Sequence, residues 1–231
     1  MSLVFIISAP SGSGKSTLVN EIKRLVDRLE FSVSYTTRTP RGSEENGREY
    51  YYTSRQVFER MIGHDDFLEY ADVFGNYYGT AKKFLDDAMK RGHDLLLDID
   101  VQGASQLQEK LPDAISIFIL PPTKQELEKR LRRRSSAEHM TDEAVIRRRL
   151  ETATREIENY EKYDYILVND SLDDSIDALK AIILTERACA AGGEPARADG
   201  QKLAELAQGR RLESVRSSLG PILESFRKTT V

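Results

Sequence analysis

The chain has 231 residues, of which 39% are hydrophobic, with one cysteine, three histidines and a formal net charge of −4. This is enough for one buried core of about 180 residues with an appendage; the lone Cys189 excludes a disulfide scaffold, and the scattered His64, His93 and His139 exclude a structural metal. The acidic balance argues against a general nucleic-acid binder, and no apolar run approaches the roughly 20 residues that cross a bilayer, so the chain reads as cytoplasmic with neither nucleic-acid nor membrane partners.

Residues 3–7, Leu-Val-Phe-Ile-Ile, form a continuous apolar run of the kind found in buried strands. A polar loop follows, then a helix predicted from Lys15 to about Arg28, with Leu18, Ile22, Leu25, Val26 and Leu29 at helical spacing. Between Phe31 and Tyr78 the texture changes to short, tyrosine-rich pieces broken by Gly42, Gly47, Gly63 and Gly75, which predicts a small β-rich insertion over 34–79. Further buried strands are predicted at 95–99, 115–120 and 165–168, the first two separated by a helix-length segment and the last preceded by a long helical stretch over 142–161. Strands alternating with helices imply an α/β core with a mostly parallel sheet, built from 1–33 and 80–187. Residues 134–141 read as a polar break between two arginine-rich helical stretches, a candidate flap. Beyond about 188, Ala191-Gly-Gly-Glu-Pro195 reads as a linker into an extension, helical or partly disordered, with short helices interrupted at Gly220-Pro221.

Ala9-Pro10-Ser11-Gly12-Ser13-Gly14-Lys15-Ser16-Thr17 matches the phosphate-loop pattern at its informative Gly-Lys-Ser end and departs from it at Ala9, where glycine is usual. Strand, loop and helix fall in the required order. Backbone N–H groups at the helix start can point at phosphate oxygens, Lys15 can reach the β and γ phosphates, and the Ser16 hydroxyl suits Mg²⁺. Alanine at position 9 demands an ordinary φ there and leaves the later glycines untouched. Asp98 and Asp100 close the 95–99 run at the carboxyl end of its strand, where open α/β sheets place ligands. One suits the water shell of Mg²⁺ and the other the nucleotide, in either assignment.

The phosphate loop, the run Ser34-Tyr-Thr-Thr-Arg38-Thr-Pro-Arg41-Gly-Ser-Glu-Glu-Asn-Gly47-Arg-Glu-Tyr50, the pieces Phe67-Leu-Glu69-Tyr70 and Asn76-Tyr-Tyr78-Gly-Thr80, and Leu97-Asp98-Ile-Asp100-Val-Gln-Gly103 together resemble the guanylate kinase family over roughly residues 3–187. The resemblance implies a P-loop nucleoside monophosphate kinase fold: a mostly parallel sheet core, a GMP-binding insertion and a helical lid over about 130–150. It implies that Arg38, Arg41, Tyr50 and Tyr78 hold the GMP phosphate, that Ser34, Glu69 and Thr80 read guanine, and that the Asp98–Asp100 strand end lies between the substrates. Arg130 and Arg134, with Arg149, are the implied lid arginines, Asn169 the implied adenine contact, and Lys15, Arg38, Arg134 and Arg149 the implied catalytic cations. ATP with Mg²⁺ and GMP or dGMP would be the ligands.

The chemistry of these residue types agrees. Forked arginine donors and tyrosine hydroxyls suit a dianionic phosphate. A carboxylate accepts from guanine N1–H and N2–H₂ together, whereas adenine would leave it unpaired, a penalty that can reach roughly 10⁴-fold in selectivity. Glu69 with Ser34 and Thr80 therefore speaks against a kinase for AMP, UMP/CMP or dTMP. Retention of Gly14, Lys15, Ser16, Asp98, Asp100 and the lid arginines speaks against an inactive guanylate-kinase-like protein-binding domain. The chain reads as a monomer or homodimer.

Overall fold

A computed structural model of the chain describes residues 2–73, 75–137, 143–193 and 198–227. In chain order the elements are β1 (Val4–Ser8), α1 (Lys15–Leu25), β2 (Leu29–Ser32), β3 (Tyr35–Thr36), β4 (Tyr51–Tyr52), α2 (Arg55–Gly63), β5 (Phe67–Val73), β6 (Asn76–Ala81), α3 (Lys82–Arg91), β7 (Asp94–Asp98), α4 (Val101–Lys110), β8 (Ile115–Leu120), α5 (Lys124–Ala137), α6 (Glu143–Ile157), β9 (Tyr165–Val168), α7 (Leu172–Ala190), α8 (Ala198–Gln208), α9 (Leu212–Val215) and α10 (Gly220–Arg227). Five strands form a sheet in the order β2-β7-β1-β8-β9. β2 runs parallel to β7 and β8 parallel to β9. β8 is buried at every position, as an apolar strand covered on both faces must be. Four further strands form a second sheet in the order β4-β3-β6-β5, with β6 antiparallel to β3 and β5.

The chain divides into two compact units, one comprising Ile7–Asp27 and Ser116–Val231, the other Ser2–Ile6 and Arg28–Ile115. Within the second, the small sheet has its own core of Phe58, Phe67 and Ala81, against which Tyr35, Met61, Ile62, Tyr77 and Phe84 pack. The helix inside this segment, α2, is announced by Ser54, whose hydroxyl accepts from the Val57 amide at 3.3 Å. β6 continues to Ala81, so residue 79 lies inside a strand rather than at a boundary.

Three local expectations are corrected. The first helix stops at Leu25: Val26 is extended, Arg28 sits at φ +55°, and Leu29 opens β2. The apolar spacing that suggested about three more helical residues ends at a strand edge, and its pairing with β7 decides the conformation. The polar break expected at 134–141 is helical as far as Ala137, because Ser135 extends the buried stripe of Leu127 and Leu131 at intervals of four; residues 138–141 lie outside the described residues. Gly220-Pro221 opens α10 instead of interrupting a helix, since proline's missing N–H costs nothing in a first turn.

The extension beyond α7 packs on its own unit. The Ile166 amide donates to the Arg210 carbonyl at 2.8 Å and the Leu212 amide to the Asp164 carbonyl at 2.9 Å, around an antiparallel bridge between Tyr165 and Arg211. This closes the outer edge of β9. The Arg211 guanidinium lies over the Tyr165 ring, 4.4 Å from its centroid, and pairs with Glu186, to which the Tyr165 hydroxyl also donates. α8 lies against α7 and α10 against α5 and α6, burying Ala207, Leu219 and Phe226. No helix among the described residues is long and apolar enough to cross a membrane. Replacing Phe226, 4% exposed, with alanine should lower stability by about 3 kcal/mol in urea unfolding; a tail that is loose in solution would leave the midpoint unmoved.

Candidate active site

The phosphate loop joins β1 to α1 inside the first unit. Ala9 and Pro10 are buried and the turn is closed by the Ser13 amide donating to the Pro10 carbonyl at 3.1 Å. Gly12 and Gly14 adopt φ +92° and +91°, whereas Ala9 is not among the positive-φ residues, so its methyl group is tolerated. Both glycines also answer to close packing. A Cβ on Gly12 would lie 2.9 Å from Leu131 Cδ2 on α5, and one on Gly14 would collide with the Asn169 amide. Gly14 caps α1 with no side chain, and the helix's first turn holds no acid. No capping side chain or first-turn acid offsets the helix dipole there, and the helix presents a positive end to an anion. Lys15 opens α1 half-buried, with Ser16 and Thr17 exposed beside it.

Asn169, just past β9, is buried and donates its Nδ2 to the Ser13 carbonyl at 2.7 Å. That amide hydrogen is committed to bracing the loop, a task the sequence reading did not assign to it. Arg130 on α5 donates to the Asn169 carbonyl at 3.1 Å and to Glu126 at 2.9 Å, so its guanidinium is held in the same network. Arg134 lies exposed one turn on, and Arg149 is half-buried on α6. Arg132 bonds Glu128 and Glu143, tying α5 to α6.

The remaining residues belong to the second unit. Arg38, 9% exposed, donates to the Thr39 carbonyl at 2.8 Å and to Glu44 at 3.0 Å, with Tyr50 and Tyr52 under its guanidinium at 5.3 and 5.8 Å. Glu44 is the hub of this loop. It also accepts from the Arg41 amide at 2.8 Å and the Tyr52 hydroxyl at 2.7 Å. Burial opposes its ionisation, but these donors together hold its carboxyl below the usual range. Tyr50 meets Tyr78 edge-on with ring centroids 5.7 Å apart, and burial, with the nearby Asp98 charge, pushes its hydroxyl well above the ordinary phenol range. Arg38, Tyr50 and Tyr78 thus form one group of donors, with the Arg41 backbone anchored to it and the Arg41 side chain exposed.

Glu69 and Thr80 sit opposite each other on β5 and β6, both buried, next to an irregularity between Phe67 and Glu69 that re-aims the strand. Among the described residues the Thr80 hydroxyl has no hydrogen-bond partner of good geometry, although it lies close enough to Glu69 to favour the ionised carboxylate. Burial pushes the Glu69 carboxyl up to about 7, the nearby Thr80 hydroxyl and amide opposing and the Asp100 charge reinforcing the shift. Ser34, also buried, is fixed by its carbonyl accepting from the Tyr51 amide at 2.9 Å. Asp98 ends β7, while Asp100 caps α4, its Oδ1 accepting from the amides of Gln102 and Gly103 at 2.7 and 3.0 Å. Asp100 therefore has a structural task that its sequence position did not reveal. Glu44, Tyr52 and Gly103 were missed as site residues although each lies in or beside a recognised motif. The signal for Glu44 was an acid inside an arginine loop.

A loop that presents a helix start to phosphate and a buried carboxylate paired in register with a threonine fit a nucleotide phosphotransferase. The sequence profile described as guanylate kinase matches residues 1–186. The chain belongs to the guanylate kinase family. It is 61% identical to the guanylate kinase of Koribacter versatilis (strain Ellin345) over 184 residues, covering 80% of this chain and 78% of that one, and 47% identical to that of Geobacter sulfurreducens over 185 residues, covering 80% and 89%. The crystal structure of guanylate kinase from Anaplasma phagocytophilum superposes with a TM-score of 0.66 at 34% identity, covering 80% of this chain and 86% of that one. The P-loop kinase fold follows, and the extension carrying α8 to α10 falls outside the family match.

A carboxyl whose pKa is raised by folding stabilises the protein fully below its unfolded value, and that contribution is lost as pH climbs through the folded value. Between pH 4.5 and 8 the parent should therefore lose about 3 kcal/mol more stability than Glu69→Gln, measured by urea unfolding at each pH. Parallel pH profiles for the two proteins would show that Glu69 ionises normally.

Proposed function

We propose that this guanylate kinase transfers the γ-phosphate of ATP to GMP, giving ADP and GDP, with guanine read by Glu69. The observation that carries the reading is the buried, register-paired Glu69 and Thr80 in a chain that keeps an intact phosphate loop. Ionised Glu69 accepts from guanine N1–H and N2–H₂, and Thr80 and Ser34 supply hydroxyls to the base. The Thr80 hydroxyl supports this, because a buried polar atom without a well-formed hydrogen bond is stabilised by a ligand that supplies one. Arg38, Arg41, Tyr50 and Tyr78 hold the monophosphate; dGMP offers the same base and phosphate.

On the ATP side the start of α1, with Lys15, takes the β and γ phosphates. Arg130, Arg134 and Arg149 meet the phosphates from the lid helices, and Arg38, Lys15, Arg134 and Arg149 are the cations set against charge developing in transfer. Such a reaction asks for positioning and charge stabilisation more than for a covalent nucleophile. Among the described residues no group of three or more His, Cys, Asp and Glu could cage a metal. The exposed Ser16 hydroxyl and the Asp98 or Asp100 carboxylate, acting through water, are hard oxygen donors of the kind Mg²⁺ takes alongside phosphate oxygens. When bound, Mg²⁺ would neutralise phosphate charge. Asn169, whose Nδ2 is held by the phosphate loop, is the residue assigned to adenine. The free thiol of Cys189 suits a reducing cytoplasm.

The test is ADP release from ATP·Mg²⁺ with GMP, AMP, CMP, UMP and dTMP offered separately. Turnover with GMP alone is expected. Turnover with another base would overturn the role of Glu69, and none with any would favour a non-catalytic binding module. Lys15→Ala should lower kcat by about 10²-fold or more without loss of fold by circular dichroism.

Because guanine needs the ionised carboxyl, guanosine, which adds no phosphate titration, should bind about tenfold more weakly at pH 6 than at pH 8. An equal dissociation constant for guanosine at the two values, measured directly by calorimetry, would refute this.

A further inference from the structure

We infer that one face of α4, formed by Gly103, Gln106 and Lys110, positions Glu69 and thereby sets how strongly the site favours guanine. The inference rests on the reading that Glu69 recognises the base.

These three residues are spaced i, i+3 and i+7, so they share one side of the helix, and each meets β5 around Glu69. β5 is the outer strand of the four-stranded sheet, and among the described residues its polar backbone on the far side from β6 has no strand to pair with. α4 takes that place. Gln106 donates Nε2 to the Tyr70 carbonyl at 2.8 Å and accepts from the Tyr70 amide at 3.4 Å, mimicking a strand neighbour. Lys110 donates to the Leu68 carbonyl at 2.6 Å. The backbone is thus held on both sides of Glu69, at the place where the β5–β6 register shifts and a strand would otherwise be free to slip.

Gly103 completes the arrangement from below. A Cβ there would stand 2.9 Å from Glu69 Cδ and would collide with Oε2, so the carboxylate rests on bare helix backbone. Glycine is a poor helix former, and its φ here is not in the region that calls for glycine, so backbone conformation gives no reason for it. The seat for Glu69 does. Asp100, by capping α4 through the Gln102 and Gly103 amides, fixes the first turn on which that seat lies.

The experiment is a double-mutant cycle on the full chain, with KM for GMP and for ATP measured separately. Gly103→Ala should raise KM for GMP on the order of tenfold to a hundredfold, as expected of a carboxylate displaced by a fraction of an ångström to an ångström, with KM for ATP within about twofold. Glu69→Asp withdraws the carboxylate by one methylene and removes the collision. In that background Gly103→Ala should add no more than about twofold, a non-additivity that generalised loosening of the fold would not produce. The same penalty in both backgrounds, an equal rise in KM for ATP, or an unchanged KM for GMP would overturn the proposal. Should Gly103→Ala not fold, Gln106→Leu decides: a several-fold rise in KM for GMP alone supports the positioning role, and parent-like constants refute it. A parent protein that does not use GMP would instead refute the reading of Glu69 itself.

Discussion

Burial of the Glu69 carboxyl is the constraint around which the second unit is organised. Ionising it inside the protein works against desolvation, and no lysine or arginine forms an ion pair with it among the described residues. Next to it lie backbone, the Thr80 hydroxyl and Gly103, with the Asp100 charge opposing its ionisation and the Lys110 charge favouring it. The site is therefore strained electrostatically when empty and relaxed when a donor edge enters, which is how a polar pocket favours the ligand that completes it over one that does not. The interruption of register before Glu69, the helix standing in for a missing strand and the capping of that helix by Asp100 serve the same end.

The first unit meets a different demand with backbone alone. A phosphate binder needs several N–H groups converging on one point, and a helix start supplies them if no side chain has already taken them. Gly14 leaves that position bare, and α5 and Asn169 close on the loop where a side chain would intrude. Arg130 is woven into the bracing through the Asn169 carbonyl, so the loop and this α5 arginine share a support.

The elements that were legible in the sequence were those whose signal is local. Apolar runs marked β1, β7, β8 and β9, and the Gly-Lys-Ser end marked the phosphate loop, because buried strands and phosphate turns constrain their own residues. β2 was not legible: Leu29 continues a helical spacing, and only pairing with β7 turns the segment into a strand. The same holds in the site. Arg38, Tyr50, Glu69 and Thr80 stood in recognisable motifs, but the roles of Glu44, Gly103 and Asp100 depend on what lies across space from them. Asn169 shows the limit most clearly, since its bond to Ser13 spans 156 residues and leaves no trace in local composition.

The strand-like bridge between Tyr165 and Arg211 has a consequence for how the chain is made. β9 is synthesised roughly 40 residues before the segment that covers its edge, a delay of about 2 to 8 seconds at ordinary translation speeds. During that interval an emerging chain exposes a row of unpaired amides and carbonyls beside an apolar strand. An open strand edge of that kind is a template for pairing with another chain, so the extension removes a route to association as soon as it is made.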